Sequence, residues 1–243
     1  TEIRGAKQLS VLVVDDDPDV VEAISLCLEL RYPDVNIVSA ADGNTALDLF
    51  RREEPNLVIL DIGLPNLDGF DVCRQIRANS QVPIIILTVR DRDVDVARGL
   101  AVGADDYITK PFSHIEFLAR VQAVLRRTQN TDAITNGIFT TGELEVNYGT
   151  REVRLKGKNV QLTPTEYRLL HQLVSNAGRV LTHQELLTRV WGSGFTDKTS
   201  YLRLHVQHLR QKLEDSVDTP RLIFTEPGVG YSFRTPTPGS KSS

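Results

Sequence analysis

Between Leu9 and Arg127, short runs of Val, Ile and Leu alternate with stretches whose apolar residues recur at helical spacing. The runs are LSVLVV, NIVSA, LVIL, PIIILT and DYIT; the stretches between them include Asp19–Arg31 and Asn44–Arg52. Continuous apolar runs of strand length predict strands buried on both faces, and helices between them predict βαβ units around a parallel sheet. Right-handed crossovers leave only a few strand orders. RTQNTDAITNG, from Arg127 to Gly137, is polar and aperiodic and predicts a linker. Beyond it, FTTGELEVNYGTREVRLKGKNVQLT alternates and turns like a small antiparallel sheet. Three helical segments follow, at Pro164–Ser175, His183–Trp191 and about Thr199–Glu214, and LIFTEPGVGYSF closes the pattern as a hairpin turned by PGVG. The expected organisation is a first domain at 1–128, a linker at 129–137, a second domain at 138–236 and a frayed tail at 237–243.

At 243 residues there is room for two cores, and the 40% hydrophobic, 25% charged composition is that of a globular chain. No apolar run approaches the ~18 residues of a membrane span, and no basic-then-apolar leader opens the sequence, so no membrane partner and a cytoplasmic location are expected. Cys27 and Cys73 stand alone in helical patterns and are expected to be reduced, buried thiols. Charge divides unevenly: Thr1–Thr128 carries 14 Lys+Arg against 21 Asp+Glu, and Gln129–Ser243 carries 14 against 11. The halves are therefore −7 and +3, an imbalance suggesting a cation or phosphoryl site in the first and a polyanion partner for the second.

Two of the apolar runs end on acids: VLVVDDDP on Asp15, Asp16 and Asp17, and LVILDIGLP on Asp61. In a doubly wound sheet of flavodoxin-like order 2-1-3-4-5, the carboxyl ends of the first and third strands flank the point where strand order reverses, and ligands bind there. Converging carboxylates repel one another unless a hard cation is bound, and oxygen donors suit Mg²⁺. Helix capping is the alternative for Asp15–Asp17, with Pro18 in the first turn, and Asp17 fits it; Asp61 precedes a turn and does not. IIILT adds the hydroxyl of Thr88 and DYITKPF the ammonium of Lys110. Acids, hydroxyl and ammonium together suit phosphoryl transfer to an aspartate.

VVDDDP, LVILDIGLPNLDG, PIIILT and GADDYITKPF, in this order and spacing, resemble the receiver domain of bacterial response regulators, across essentially all of Leu9–Arg127. The resemblance implies that Asp61 is the phosphoacceptor, that Asp16, Asp61 and the Gly63 carbonyl ligate Mg²⁺, and that Asp15 acts through water. It implies that Thr88 and Lys110 hold phosphoryl oxygens, that Tyr107 changes rotamer on activation, and that Lys110–Pro111 is cis. It also implies a dimer face made by the fourth helix, fifth strand and fifth helix. There, Asp105 would pair with Arg120 and Asp106 with Arg127 across subunits, while the basic partner expected for Glu116 is replaced by Val96. After the family's Ser/Thr a small residue is usual; here it is Val89, whose bulk is expected to narrow access to Asp61.

LTPTEYRLLHQLVSNAGRVLTHQELLTRVWG, LRLHVQHLRQKLE and GVGYSF resemble the winged-helix output domain of OmpR/PhoB-type regulators, over roughly Ile138–Arg234. Within that family, SYLRLHVQHLRQKLE and TPRLIFTEPGVGYSF look closest to the potassium-responsive Kdp branch. Read without the family, the last helix places Leu202, Val206, Leu209 and Leu213 on one stripe facing a core. Ser200, Leu204, Gln207 and Gln211 then point outward, flanked by Tyr201, Arg203 and His208. In a major groove, Leu204 would meet a thymine methyl while polar neighbours address base edges and phosphates. Arg210, Trp191 and Tyr231 are further candidate phosphate contacts. His208 and Pro227 stand where many members carry Arg.

The expected whole is an α/β, flavodoxin-like (βα)5 doubly wound receiver followed by a winged-helix (α+β) DNA-binding domain. Its expected role is that of a transcription factor phosphorylated at Asp61 by a sensor histidine kinase, dimerising on direct repeats in promoter DNA and contacting RNA polymerase. It would be an enzyme only in its own phosphorylation and dephosphorylation. Two alternatives stay open. A Mg²⁺-dependent phosphohydrolase of the aspartyl-nucleophile type usually needs a second acid where Gly63 stands, and a DNA-binding protein with a vestigial receiver is kept open by Val89.

Overall fold

The computed structural model describes residues 8–89, 102–129, 137–192, 195–196, 198–214 and 219–235, with the side chains of 127–129 excepted. The chain divides into two compact units, 1–125 and 126–243. The segment read as a linker and the predicted fourth helix with Val96 lie largely or wholly outside the described residues.

In the first unit, β1 (Ser10–Val14), β2 (Asn36–Ala40), β3 (Leu57–Asp61), β4 (Ile84–Thr88) and β5 (Asp106–Thr109) form one parallel sheet in the order β2-β1-β3-β4-β5. The expected fold and strand order are both present. Helices α1 (Pro18–Arg31), α2 (Gly43–Glu53), α3 (Gly69–Arg77) and α4 (His114–Gln129) cover the two faces. Alternate residues of each strand feed opposite cores. Leu12, Val14, Val58, Leu60 and Ile86 pack with Phe70, Val72 and Ile76 from α3, whereas Val11, Val13, Ile59 and Leu87 pack with Ile24 and Leu28 from α1 and Phe117 and Val121 from α4.

The chain turns from strand into helix by the same device three times. Asp17, Asp42 and Asp68 are the N-caps of α1, α2 and α3, and each side chain accepts a backbone N–H of the first turn. Asp17 does what the capping alternative assigned it, and Pro18 occupies the first helical turn. Cys73 is buried and free, its thiol pushed up to about 11 by desolvation; Cys27 is free and half-buried.

In the second unit, β6 (Ile138–Thr141), β7 (Leu144–Asn147), β8 (Val153–Leu155) and β9 (Lys158–Asn159) make a four-stranded antiparallel sheet. Helices α5 (Pro164–Ser175), α6 (His183–Val190) and α7 (Thr199–Leu213) follow, and a second sheet has the order β10-β12-β11, from β10 (Val180–Thr182), β11 (Ile223–Glu226) and β12 (Gly230–Phe233). This is a winged helix: three helices with a C-terminal hairpin. The short β10 was not expected; it pairs with β12 between two helices, where the periodicity offers only three residues. Helices α5 and α6 each begin with a reciprocal capping box, Thr163 with Glu166 and Thr182 with Glu185.

Candidate phosphoacceptor site and nucleic-acid face

Adjacent ends of β1, β3, β4 and β5 bring Asp15, Asp61, Thr88 and Lys110 to one edge of the first sheet, where they line a cleft with Asp16, Gly63, Asp68 and Val89. Asp15 and Asp61 are buried, Asp16 stands exposed at the rim, and Thr88 is buried. Each of the three acids offers a carboxylate oxygen within 4.8 Å of the other two. Lys110 Nζ lies between the two buried ones, 2.6 Å from Asp15 Oδ2 and 2.9 Å from Asp61 Oδ1. Burial alone would lower the Lys110 pKa, but its hydrogen bonds to Asp15 and Asp61 outweigh that and the net shift is upward. Asp15 is shifted upward by its own burial, against the opposing pull of Lys110.

The loop after β3 is shaped around Asp61. The Gly63 N–H donates to Asp61 Oδ2 at 2.7 Å, and a Cβ at Gly63 would sit 2.9 Å from that oxygen. A Cβ at Gly69 would lie 2.2 Å from the Asp61 carbonyl oxygen, so only glycine lets α3 start so close under the strand end. The Lys110–Pro111 peptide is cis, as expected, and the Lys110 N–H donates to the Thr88 carbonyl at 2.6 Å, joining the ends of β4 and β5. Tyr107 is half-buried on β5, against the core shared with α3. Asp68, absent from the sequence-based site, caps α3 and lines the cleft; the aspartate before Gly69 was its signal. The donor set of three carboxylates fits a hard divalent cation.

Within this chain, the acids expected at a dimer face have basic partners of their own. Asp105 immediately precedes β5 and Asp106 begins it, and their partners lie on different helices, α3 and α4. Asp105 is fully buried; its Oδ2 accepts from Arg77 Nη2 at 2.8 Å and from the Ile84 N–H at 3.1 Å. Asp106 is also fully buried and accepts from Arg120 Nη1 at 3.1 Å. Arg120 in turn donates to Glu116 within α4. Both carboxylates are buried within this chain. Arg120 bonds Asp106 within the chain, and the Arg127 side chain lies outside the described residues.

In the second unit the core stripe of α7 is as expected: Leu202, Val206, Leu209 and Leu213 are all buried. Ser200, Arg203, Gln207 and Gln211 are exposed, and Leu204 is half-exposed among them. Two of the flanking residues, and Trp191 beyond the helix, turn inward instead. Tyr201 packs edge-on against Phe195, Trp191 packs on His205, and His208 is buried with its ring edge toward His205. Desolvation lowers the His208 pKa, and Glu166 lies 3.7 Å from its Nδ1. Tyr231 is buried beside His183. These four are core residues. Helix α7 is packed by α5 and α6 at once, and two neighbours bury a wider sector than one stripe.

Comparison with known proteins agrees with this division. Residues 11–122 match the response regulator receiver domain family, and residues 157–233 match the family described as transcriptional regulatory protein, C terminal. Among solved structures, DrrB of Thermotoga maritima, an OmpR/PhoB homologue, is 32% identical over 93% of this chain and 99% of its own, with a TM-score of 0.49. A mutant form of RitR is 25% identical over the same shares, with a TM-score of 0.72. The BeF3-activated receiver domain of Klebsiella pneumoniae RstA is 38% identical over 48% of this chain and 98% of its own, with a TM-score of 0.46.

A receiver joined to a transcriptional-regulator C-terminal domain defines a two-component response regulator, a class with a histidine kinase partner on one side and DNA on the other. The two matched regions together span most of the chain, which belongs to the response regulators that carry this C-terminal domain. Among the described residues, no helix is long and apolar enough to cross a membrane.

Proposed function

We propose that a sensor histidine kinase phosphorylates Asp61, and that the modified chain dimerises on direct repeats in promoter DNA and acts on RNA polymerase, in the cytoplasm. The observation that carries the reading is Lys110 held between Asp15 and Asp61 in a three-acid cluster at the sheet edge. An Asp61 carboxylate oxygen forms the bond to phosphorus as the phosphorus–nitrogen bond to the kinase histidine breaks; the imidazole leaves with the electron pair and is reprotonated. Lys110 then exchanges a carboxylate oxygen for a phosphoryl oxygen, and the Thr88 hydroxyl donates to another. Asp16, Asp61 and the Gly63 carbonyl would hold Mg²⁺ directly and Asp15 through water; when bound, the ion supplies positive charge to the phosphoryl oxygens. The enzymatic capacity is limited to this transfer and its hydrolysis.

Dimerisation through β5, α4 and the segment between β4 and β5, which the resemblance implies is a helix, remains part of the proposal, with the buried carboxylates of Asp105 and Asp106 held by Arg77 and Arg120 of the same chain. The C-terminal motifs SYLRLHVQHLRQKLE and TPRLIFTEPGVGYSF favour the potassium-responsive Kdp branch. Val89 is three-quarters exposed at the mouth of the cleft. Val89→Ala is expected to accelerate labelling by acetyl phosphate; an unchanged or slower rate would show its bulk to be harmless.

The output side is tested by selection of duplexes from a random library, with and without acetyl phosphate and Mg²⁺. Direct repeats and tighter binding are expected after phosphorylation. If Arg203 reaches a guanine edge, Arg203→Ala should cost ~1–3 kcal/mol on the selected duplex and relax preference at that base. Leu204→Ala should be felt where a thymine lies opposite. Wild-type affinity and motif in both variants would remove α7 from the DNA interface.

A further inference from the structure

The C-terminal half of α7 is tied to the wing by two side chains one helical turn apart. Arg210 donates from Nε and Nη2 to the Ile223 carbonyl, at 3.1 and 2.8 Å, and from Nη2 to Thr225 Oγ1 at 2.8 Å. Glu214, the C-cap residue of α7, accepts the Ile223 N–H on Oε1 at 3.0 Å and the Arg221 N–H on Oε2. Both backbone polar groups of Ile223 are thus held by the helix.

The sheet explains why they need holding. In the order β10-β12-β11, β11 is an edge strand. The Arg234 N–H donates to the Leu222 carbonyl, so the next residue along β11, Ile223 opposite Phe233, turns its N–H and C=O away from β12. An edge strand left so would be open to solvent or to wrong pairing. Arg210 and Glu214 act as the missing neighbour. Lys212, between them in sequence, is also engaged inward: its Nζ lies 2.6 Å from buried Glu166 on α5. The cations of this half of α7 are therefore spent on its own domain, while Ser200, Arg203, Leu204 and Gln207 are left at the surface.

We propose that Arg210 and Glu214 are positioning residues that lock the wing to α7, so that helix and wing meet DNA as one rigid unit; Arg210 is not primarily a phosphate contact. The inference rests on α7 being the DNA-reading helix. The two alternatives for Arg210 differ in what Lys can replace. A phosphate contact tolerates Lys as a point charge, whereas a fork spanning a carbonyl and a hydroxyl does not. For Glu214→Gln the signs are opposed: removing a negative charge beside DNA favours binding electrostatically, whereas Gln keeps an acceptor for only one of the two backbone amides, which loosens the wing.

The experiment uses the full chain and a duplex selected from a random library by the wild-type protein, titrated at several salt concentrations. Arg210→Lys is expected to bind about tenfold or more weakly, as for a lost charge-assisted hydrogen-bond pair, with the salt slope unchanged. Glu214→Gln is expected to weaken binding. In both variants, amide exchange should quicken in β11 and stay unchanged in the Leu202–Leu209 core of α7. Wild-type binding by Arg210→Lys, with Arg210→Ala weakened and its salt slope shallower by about 0.9, would overturn the proposal. Tightening by Glu214→Gln, or weakened binding without faster exchange in β11, would overturn it too. Arg203→Ala separates the two levels. Its failure to alter affinity removes α7 from the interface, whereas a loss there with wild-type Arg210→Lys removes only the clamp.

Discussion

Asp61→Asn should take up no phosphoryl group from acetyl phosphate, whereas the wild-type chain should take up one, on Asp61. The expected loss is complete because nothing else in the cleft can stand in for this carboxylate. Asp15 Oδ1 accepts the Asp17 N–H and its Oδ2 meets Lys110, Asp16 lies out at the rim, and Asp17 and Asp68 are engaged as helix caps. Asp61 is held at both oxygens, Oδ2 by the Gly63 N–H and Oδ1 by Lys110, so the nucleophile is oriented before the phosphoryl donor arrives. Asparagine keeps the size but not the charge, and its amide is a poor nucleophile. Chelation with EDTA should depress wild-type labelling strongly, because the three acids need a cation before a further anion can approach. Mass spectrometry locates the label. Equal labelling of Asp61→Asn, or undiminished labelling in EDTA, would remove the site from its assigned role.

Why was so much of this receiver legible? Asp15, Asp61, Thr88 and Lys110 are each the polar residue that ends an apolar run or follows it, and a parallel sheet brings such ends together whatever lies between. The fold and the cleft therefore share one signal. The winged helix was less legible at its surface than in its core. The stripe Leu202, Val206, Leu209 and Leu213 is set by helical period alone, whereas the inward turn of Tyr201 and His208 depends on how many neighbours α7 packs against. Arg210 carried the charge of a DNA contact, and only the edge position of β11 shows what it holds. The capping boxes at Thr163 and Thr182 could have been read, since threonine with glutamate three residues on is a local pattern. The partner of Asp105 could not, because Arg77 lies 28 residues away on a different element.

That buried pair supports the largest stability effect expected in the chain. Asp105→Ala should destabilise the receiver by ~3–5 kcal/mol, the range for breaking a desolvated ion pair by removing one partner. Asp105 is fully buried and the Arg77 side chain is one-tenth exposed, so little water can replace the lost carboxylate. Arg77 would keep its bonds to the carbonyls of Gly103, Ser80 and Val82, but its charge would have no counter-ion, and the Ile84 N–H at the start of β4 would lose its acceptor. Asp105→Asn, which keeps an acceptor oxygen, should cost less. Replacing both partners by apolar residues, Arg77→Met with Asp105→Leu, should recover much of the loss, because no unpaired charge remains. Urea unfolding of the full chain, followed by amide exchange in β4 and α3, reads all three. A pair lying on an exposed dimer face would give the opposite ranking: Asp105→Ala would change unfolding by less than ~1 kcal/mol, and its effect would appear in self-association instead.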